Sequence, residues 1–225
     1  MYLIHPMPAA LPPDDLALLQ KAEPATIGHF QTTGFMRNDI RAHQQDVRIA
    51  GPAVTVRMPG SDGGILHHAM ACVRPGDVLV IDRCGEAVTA AFGGTMAYAA
   101  KQAGVAGIIV DGVVTDLGEL RQHGLPVWSK GPSVITTRLL GHEGEFCGTI
   151  NCGGVTVWAG AAVLADENGV LVLDRAAVRA AAQRAIDFQT QEQTTLARLR
   201  AGEKFPDIVG SRSQIERAIA AAQGA

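Results

Sequence analysis

The sequence predicts an α/β fold with a central parallel β-α-β core. Two runs of residues, Val78–Ile81 and Val105–Val110, are continuously apolar, which is typical of strands buried on both faces of a sheet. A helical segment at Thr95–Ala103 separates them, and a second one at Leu117–His123 leads to a third strand that begins at Pro126–Trp128. Strands and helices that alternate in this way imply parallel pairing through right-handed crossovers.

The segments on either side predict further helices and a change to antiparallel strands. Asp14 and Asp15 open a helix that runs to about Lys21, and Pro24 opens a short one. Beyond residue 145 short β runs alternate with turns, which favours antiparallel hairpins. We therefore expect a single domain over residues 1–225, made of N-terminal helices at 13–35, a core at 47–175 and C-terminal helices at 176–225.

Within these regions the sequence assigns the individual elements. They are a strand with a Gly51-Pro52 break at Val47–Met58, a helix at Ile65–Val73, β runs at Val155–Trp158, Ala162–Leu164 and Val170–Leu173, a helix at Ala176–Arg200, a linker at Lys204–Gly210 and a helix at Gln214–Ala222.

The composition argues against nucleic-acid and membrane partners. Of the 225 residues 47% are hydrophobic, and the net charge is −3 with no cluster of Lys and Arg. No apolar run is long enough to span a bilayer, and the proline-rich N-terminus does not resemble a signal peptide. The four cysteines have neither CxxC spacing nor the density of a disulfide framework, so we expect mostly buried, reduced thiols and a cytoplasmic location.

A pair of glycines stands where a parallel sheet usually binds ligands. Gly93, Gly94, Thr95 and Met96 lead from the first core strand into a helix, at the carboxyl edge of the predicted sheet. Without Cβ atoms this backbone can present successive N–H groups to a carboxylate or phosphate, aided by the helix dipole. The structural alternative is a flexible loop with Thr95 as the N-cap of the helix.

Asp116 is the candidate for a metal ligand at the same edge. A carboxylate placed there could hold Mg²⁺ beside an anion bound at the glycines, with waters and substrate oxygens completing the octahedron. Glu119 follows three residues later, so a capping box at the start of a helix explains the same pair without any ligand. Both interpretations remain open from the residues alone.

Other polar groups give weaker signals. His67 and His68 are adjacent on a helix, so their side chains diverge and cannot share a metal; we expect one to be exposed and one packed. The turn at Asp166–Gly169 is better explained by a hairpin than by calcium, because the rest of an EF-hand loop is missing. No GxSxG, P-loop or dinucleotide-binding glycine pattern occurs.

Several of these stretches together resemble one known family, that of regulator of ribonuclease activity A and the class II pyruvate aldolases. Those aldolases act on 4-hydroxy-4-methyl-2-oxoglutarate and 4-carboxy-4-hydroxy-2-oxoadipate. The similarity covers roughly residues 47–175, and the motifs that carry it are Val54–Val56, Pro75–Asp82, Gly93-Gly94, Gly104–Asp116 and Gly124–Val127.

The resemblance implies a fold, an assembly and a site. The fold is a swivelling β/β/α three-layer sandwich, and the assembly is a homotrimer or a hexamer of two stacked trimers with sites between subunits. Pyruvate's carboxylate would lie on backbone amides that match Gly93–Met96, and a divalent cation, Mg²⁺ or Mn²⁺, would be held at the position that matches Asp116. Asp116 would there act both as metal ligand and as catalytic residue.

The sequence departs from the aldolases at two positions. They carry an Asp followed, after twenty intervening residues, by Arg-Asp; here Gly94 and Thr115 stand in the first two places and only Asp116 remains. The Arg is understood to stabilise the enolate oxyanion, and loss of such a donor usually lowers the rate by orders of magnitude. We hypothesise that Arg83, which leaves a neighbouring strand at the same edge, supplies this charge. The aldolases also take a carboxylate from the C-terminal helix of a neighbouring subunit; Glu192 is the candidate counterpart here, but the register of that helix does not allow the role to be carried over to it.

These departures leave three functions open. The first is a divergent metal-dependent lyase of small 2-oxo acids, which cleaves off pyruvate or decarboxylates oxaloacetate with Asp116, Thr115 and Gly93–Met96 at its site. The second is a non-catalytic regulator that binds another protein, and the third is a related lyase or isomerase with a different polar set. A methyltransferase is not expected, because no glycine-rich nucleotide loop is present.

Overall fold

A computed structural model describes residues 1–223, which have a mixed α/β fold with a central sheet and helices. Its strands are β1 (Tyr2–Ile4), β2 (Arg41–Ala42), β3 (Arg48–Arg57), β4 (Val78–Asp82), β5 (Thr89–Ala90), β6 (Gly107–Asp111), β7 (Val113–Val114), β8 (Val127–Ser129), β9 (Gly131–Pro132), β10 (Ile135–Thr136), β11 (Gly144–Phe146), β12 (Ile150–Cys152), β13 (Val155–Val157), β14 (Ala162–Asp166) and β15 (Gly169–Leu173). Its α-helices are α1 (Pro13–Leu19), α2 (Pro24–Ile27), α3 (Gly64–Met70), α4 (Gly94–Gln102), α5 (Leu117–His123), α6 (Val178–Arg200), α7 (Phe205–Ile208) and α8 (Ser211–Gln223).

The central sheet has the predicted parallel core. Strands β3, β4, β6 and β8 lie side by side and parallel, with α3 between the first pair, α4 between the second and α5 between the third. The registers place Asp82 beside Asp111 at the carboxyl ends of β4 and β6. Loops that leave these ends meet at one edge of the sheet, which is where the candidate site lies.

Alternate residues of the core strands pack into two different apolar layers. Leu79 of β4 and Ile108 of β6 face α3, α4 and α5, whereas Val80 and Ile109 face the hairpin formed by β14 and β15. All four side chains are fully buried, so the continuous apolar runs of the sequence reflect strands covered on both faces. The helices, the central sheet and the hairpin form the three layers of the predicted β/β/α sandwich.

Strand β3 joins the two sheets by changing partner in its middle. Residues 48–52 pair antiparallel with β14, and residues 53–57 pair parallel with β4. The Gly51-Pro52 break lies at this change, and a Cβ on Gly51 would stand 2.2 Å from the Gly76 carbonyl oxygen. Glycine is therefore required there by the close approach of two backbones.

A further layer of helices covers the outer face of the hairpin. Helices α1, α2 and α6 pack on Leu164, Leu171 and Leu173, and the N-terminal half of α6 supplies the buried side chains Val178 and Ala182. The remainder of α6, with α7 and α8, is largely exposed. Among the described residues no helix is long and apolar enough to cross a membrane.

Several element predictions need correction. The expected linker at Lys204–Gly210 contains α7, because Pro206 stands in the first turn, where its missing N–H is not needed. The run at Val155–Trp158 pairs with β12 rather than joining the hairpin of β14 and β15. The helix expected at Gln214–Ala222 is α8, which the structure describes from Ser211 to Gln223; Gly224 and Ala225 of the expected C-terminal region lie outside the described residues.

Candidate functional site

A pocket of about 160 Å³ opens at the carboxyl edge of the parallel strands. Its walls come from the start of α3, the loop into α4, the loop into α5, and β10 with the residue that follows. The lining residues are Gly63, Leu66 and His67, then Ala90–Met96, then Thr115 and Asp116, and finally Thr136 and Thr137. All six residues that the sequence singled out for the site therefore line one pocket, although 19 or more positions separate the glycine loop from Thr115.

The loop into α4 presents free backbone donors to this pocket. Helix α4 begins at Gly94, and its N-cap is Gly93 in an extended conformation rather than Thr95. The N–H groups of Thr95 and Met96 lie in the first turn of the helix, and neither has an acceptor within residues 1–223. These free N–H groups form the positive end of the dipole of α4.

The Asp116 side chain turns to the glycine loop and does not cap its own helix. Asp116 adopts a left-handed backbone conformation, with φ 56° and ψ 43°, and makes no side-chain capping bond to α5. Its Oδ2 instead accepts a hydrogen bond of 2.9 Å from the Gly94 N–H, and its Oδ1 accepts one of 3.2 Å from the Thr115 hydroxyl. The capping-box explanation of this residue is therefore not what the structure shows.

Close packing explains why the first glycine of the pair is needed. A Cβ on Gly93 would lie 2.7 Å from Asp116 Oδ2 and 2.7 Å from Thr115 Cγ2. Any side chain there would push the loop away from Asp116. The hydrogen bond to Gly94 already uses one backbone donor of the loop, which leaves Thr95 and Met96 as the donors available to a ligand.

Glu119 lies against the second glycine. A Cβ built on Gly94 would stand only 1.7 Å from Glu119 Oε2 and 2.6 Å from Glu119 Cδ. The carboxylate thus occupies the space that a side chain at position 94 would otherwise fill. It makes no hydrogen bond to any residue of the described chain, and in particular it does not return to the Asp116 N–H as a capping box requires.

The pocket also contains residues that sequence reasoning missed. One of them is His67, which lines the pocket from α3. The expectation that one of the two histidines would be exposed and the other packed is met only in part. His68 contacts the Phe146 ring edge-on, but both histidines are exposed. Thr136 and Thr137 line the pocket because β10 pairs with β5. Each of these strands has only two residues, which is too short for a hydrophobic pattern to predict it from the sequence. The one signal in the sequence that could have pointed to His67 is that it lies on a helix that follows a glycine turn.

Arg83 does not reach the pocket, so the hypothesis that it replaces the missing arginine is wrong. Its side chain is 0% exposed, and the guanidinium donates to the carbonyl oxygens of Met58 at 3.0 Å and Gly60 at 2.7 Å. It also forms an ion pair with Glu86. Burial lowers the pKa of Arg83, and the guanidinium serves to hold the loop between β4 and β5.

Glu86 is held as a carboxylate by the same cluster. Although desolvation opposes it, hydrogen bonds from the Thr89 hydroxyl, from the N–H groups of Val88 and Thr89 and from Arg83 lower the pKa of Glu86 to about 2. Glu192, the other residue considered from the sequence, is on α6 and lies 4.0 Å from His29 Nε2. It does not line the pocket of its own chain.

Taken together, these features define an α/β sandwich protein in which a glycine loop and a carboxylate face each other across a small pocket at the end of parallel strands. Residues 22–172 match the RraA-like family, described as Aldolase/RraA, and the chain belongs to that family. The resemblance inferred from the motifs and the α/β sandwich fold are thereby confirmed.

Individual relatives carry names of both branches of the family. The chain is 28% identical, over 158 residues, to a candidate 4-hydroxy-4-methyl-2-oxoglutarate aldolase of Halalkalibacterium halodurans, covering 70% of this chain and 75% of the relative. It resembles the structure of Streptomyces coelicolor RraAS2, an unusual member of the RNase ES inhibitor RraA family, with 25% identity and a TM-score of 0.74. The match covers 84% of this chain and 99% of RraAS2. A Pseudomonas syringae protein of 18% identity and TM-score 0.78, covering 92% and 98% of the chains, shares the fold.

The donors at the pocket fit the divalent cation that the family resemblance implies. Within residues 1–223 no three His, Cys, Asp or Glu side chains converge as a closed cage. Mg²⁺, however, is commonly held by one or two carboxylates, and waters and substrate oxygens complete its octahedron. Each Asp116 oxygen accepts only one hydrogen bond, so lone pairs remain on a hard donor of the type that Mg²⁺ and Mn²⁺ prefer.

Proposed function

We propose that the protein is a divergent metal-dependent lyase of small 2-oxo acids, which releases pyruvate by aldol cleavage or decarboxylates oxaloacetate. The observation that supports this most directly is the meeting of two opposite chemical groups in one pocket. The free N–H groups of Thr95 and Met96 suit an anion, and the Asp116 carboxylate suits a cation. A complex of a 2-oxo acid with a divalent cation contains both a carboxylate for the N–H groups and a cation for Asp116.

The protein's own groups would bind and orient the substrate. The Thr95 and Met96 N–H groups would hold the substrate carboxylate, and Asp116 would hold Mg²⁺ or Mn²⁺. When bound, such a cation polarises the 2-oxo group as a Lewis acid. Thr115 donates its hydroxyl to Asp116 and so fixes the carboxylate, while the buried Phe92 forms part of an apolar wall that limits the access of water.

Turnover is expected to be slow compared with aldolases that carry an arginine at the site. None of the lining residues is Lys or Arg, and Thr115 has no charge to place on a developing oxyanion. His67 is the only lining side chain in the described chain that can become cationic. Losing one preorganised donor to an oxyanion commonly lowers kcat by about 10²–10³.

The decisive experiment measures pyruvate release from 4-hydroxy-4-methyl-2-oxoglutarate and from oxaloacetate, with and without Mg²⁺ or Mn²⁺. Metal-dependent turnover that Asp116→Ala abolishes would support the proposal. Turnover no faster than that of the metal ion alone, on both substrates, would contradict it. Gly118→Ala is the matched control, because a Cβ at Gly118 has nothing within 4 Å.

The second candidate function is a non-catalytic regulator that docks on a ribonuclease. The absence of Lys and Arg from the described pocket favours it, as does the likeness to Streptomyces coelicolor RraAS2, an unusual member of the RNase ES inhibitor RraA family. An assay of RNA cleavage by RNase ES, with and without added protein, tests this function. Inhibition that survives Asp116→Ala, in a protein without lyase turnover, would select the regulator.

We also propose the assembly and location that accompany this function. Val88, Val134 and Ile135 are apolar, exposed by 52% or more, and brought together beside the pocket by the pairing of β5 with β10. Such a patch is typical of an interface, here between copies of the chain in a homotrimer or a hexamer. All four cysteines are free thiols, which is consistent with a cytoplasmic protein.

A further inference from the structure

We propose that Asp62 is a positioning residue of the pocket, and that through it the N-terminal strand β1 supports the wall on which the tail of a 2-oxo acid lies. The tail is the part of the acid beyond its 2-oxo group. This inference rests on the proposed function for its ligand, and it adds residues from outside the pocket lining. Asp62 touches neither substrate nor cation; it holds the start of α3 against residues 137–142, called here the β10 loop.

The two segments that Asp62 joins form one wall of the pocket. Gly63 and His67 line the pocket from the start of α3, and Thr136 and Thr137 line it from β10 and the residue that follows. The two sides of this wall are close, because a Cβ on Gly63 would stand 3.1 Å from the Thr137 hydroxyl oxygen. The glycine loop and Asp116 form a separate part of the lining, joined by their own hydrogen bond. The pocket therefore has one part suited to a carboxylate and a cation, and a second part available to a tail.

The Asp62 carboxylate connects three segments of the chain at this wall. The residue is 2% exposed, and each of its carboxylate oxygens accepts two hydrogen bonds. Oδ1 accepts from the Gly64 N–H at 3.0 Å and from the Leu140 N–H at 3.1 Å. Oδ2 accepts from the His142 N–H at 2.6 Å and from the Tyr2 hydroxyl at 2.8 Å. One buried side chain thus ties α3, the β10 loop and β1 together.

Backbone contacts align the same two segments. Asp62 and Arg138 form an isolated parallel β-bridge. The Gly63 N–H donates to the Arg138 carbonyl oxygen at 2.8 Å, and the Arg138 N–H donates to the Ser61 carbonyl oxygen at 2.9 Å. Although desolvation opposes the charged form, the hydrogen bonds to its carboxylate lower the pKa of Asp62, so the acceptor is ionised. The backbone bonds set the register of the wall, and the carboxylate braces it from behind.

Tyr2 is the donor that this arrangement can lose most easily. Among the described strands β1 pairs with β11 alone, at the edge of the sheet, and Tyr2 and Ile4 are exposed by 37% and 52%. A Cβ on Gly64 would stand 2.5 Å from the Tyr2 hydroxyl oxygen, so the glycine leaves room for this contact. An edge strand with exposed side chains opens more readily than the core strands. Release of β1 therefore takes one donor from Asp62 and loosens the wall.

The first measurement is hydrogen–deuterium exchange of the full chain, read by mass spectrometry in peptides that cover the β10 loop. Tyr2→Phe removes only the hydroxyl, and exchange in this loop should become about tenfold faster, because a hydrogen bond to a charged group contributes about that factor to a local equilibrium. The other tyrosine of the chain gives the matched control. Tyr98 lies on the exposed side of α4, outside the pocket lining, so Tyr98→Phe should exchange as wild type. Unchanged exchange in Tyr2→Phe would overturn the proposal.

The second measurement separates positioning from general stability. Calorimetric titrations with Mg²⁺ present compare pyruvate with 2-oxopentanoate, which has the same 2-oxo acid group and a longer apolar tail. Asp62→Asn keeps the volume of the side chain and loses one acceptor oxygen. It should weaken binding of 2-oxopentanoate about tenfold and binding of pyruvate by less than about twofold, because only the longer acid reaches the wall. Equal losses for the two acids would indicate a merely structural role and overturn the proposal.

Tyr2→Phe repeats this comparison with the carboxylate in place. It should lower the affinity for 2-oxopentanoate more than the affinity for pyruvate, so the test does not depend on the folding of Asp62→Asn. An unchanged ratio of the two affinities in a folded variant would remove Asp62 and β1 from the site, whether or not the wild type is a lyase. A shifted ratio without any release of pyruvate in the turnover assay would keep this role and remove the lyase. A wild-type chain that binds neither acid would overturn both proposals.

Discussion

Asp116 accepts a hydrogen bond from the Gly94 N–H across 22 positions of sequence, and this bond joins the two loops of the candidate site. To make it, Asp116 adopts a left-handed backbone that most side chains avoid and gives up the capping of its own helix. Strained conformations of this kind cluster at functional sites, where surrounding contacts hold them. The Asp116–Gly94 bond is therefore the relationship on which the following predictions depend.

Replacing Asp116 separates its backbone role from its carboxylate role. Asn tolerates the left-handed conformation, so the free energy of unfolding of Asp116→Asn should lie within about 0.5 kcal/mol of the wild-type value. For Asp116→Ala the free energy of unfolding should fall by about 1 kcal/mol. Both variants should weaken Mn²⁺ binding at least tenfold because the charge is gone. Urea unfolding and Mn²⁺ titration measure the two effects, and Mn²⁺ affinity retained in Asp116→Asn would contradict the assignment.

Adding a methyl group at Gly93 should damage the site without unfolding the protein. The new Cβ would lie 2.7 Å from Asp116 Oδ2, so the glycine loop and Asp116 must separate. We expect the KM for the 2-oxo acid to rise about tenfold, since a loss of about 1.4 kcal/mol of binding is one factor of ten. Steady-state kinetics with Gly118→Ala as control measures this, and an unchanged KM would show that the loop need not touch Asp116.

Arg83 should matter for stability and not for chemistry. It is fully buried and paired with Glu86, and removing one member of a buried ion pair commonly costs about 3 kcal/mol. Arg83→Met should therefore lower the free energy of unfolding by about that amount, as measured in urea. At a temperature where this variant is folded, its KM should match that of wild type. Loss of turnover without loss of stability would show instead that Arg83 takes part in the reaction.

The lowered pKa of Glu86 predicts a loss of stability in acid. With a folded-state pKa of about 2 and an ordinary value of 4.5, the carboxylate contributes stability that is complete above pH 4.5 and declines as the pH falls towards 2. Urea midpoints over this range should fall for wild type and fall less for Glu86→Gln. Glu143→Gln, at an exposed loop position, should behave as wild type, and parallel curves for all three proteins would exclude the linkage.

A charge at Val134 should dissociate the proposed oligomer and spare the fold. Val134 is 95% exposed in the single chain, so Val134→Asp should leave the unfolding midpoint of the monomer unchanged. Light scattering should give three or six times the 23.5 kDa of one chain for wild type and a lower mass for the variant. An unchanged mass would place the interface on another surface.

Much of the fold could be predicted because its signals are local. Val78–Ile81 and Val105–Val110 are apolar without interruption, and the helix at Leu117–His123 appears at the predicted bounds. The glycine pair and Asp116 were found because strand ends in a parallel sheet meet at one edge, whatever the side chains. The prediction of a linker at Lys204–Gly210 was wrong, because the helix Phe205–Ile208 has only four residues and is too short to show a helical repeat of apolar residues.

The sequence by itself determined the α/β core, the edge of the sheet at which the pocket lies, and the family. Only the tertiary structure decided what the polar groups there contact. Asp116 and Glu119 have capping-box spacing, yet both turn to Gly94, and Arg83 is buried away from the site. Spacing along the chain specifies which residues can be neighbours on one element, whereas the partner of a side chain depends on packing between elements distant in sequence.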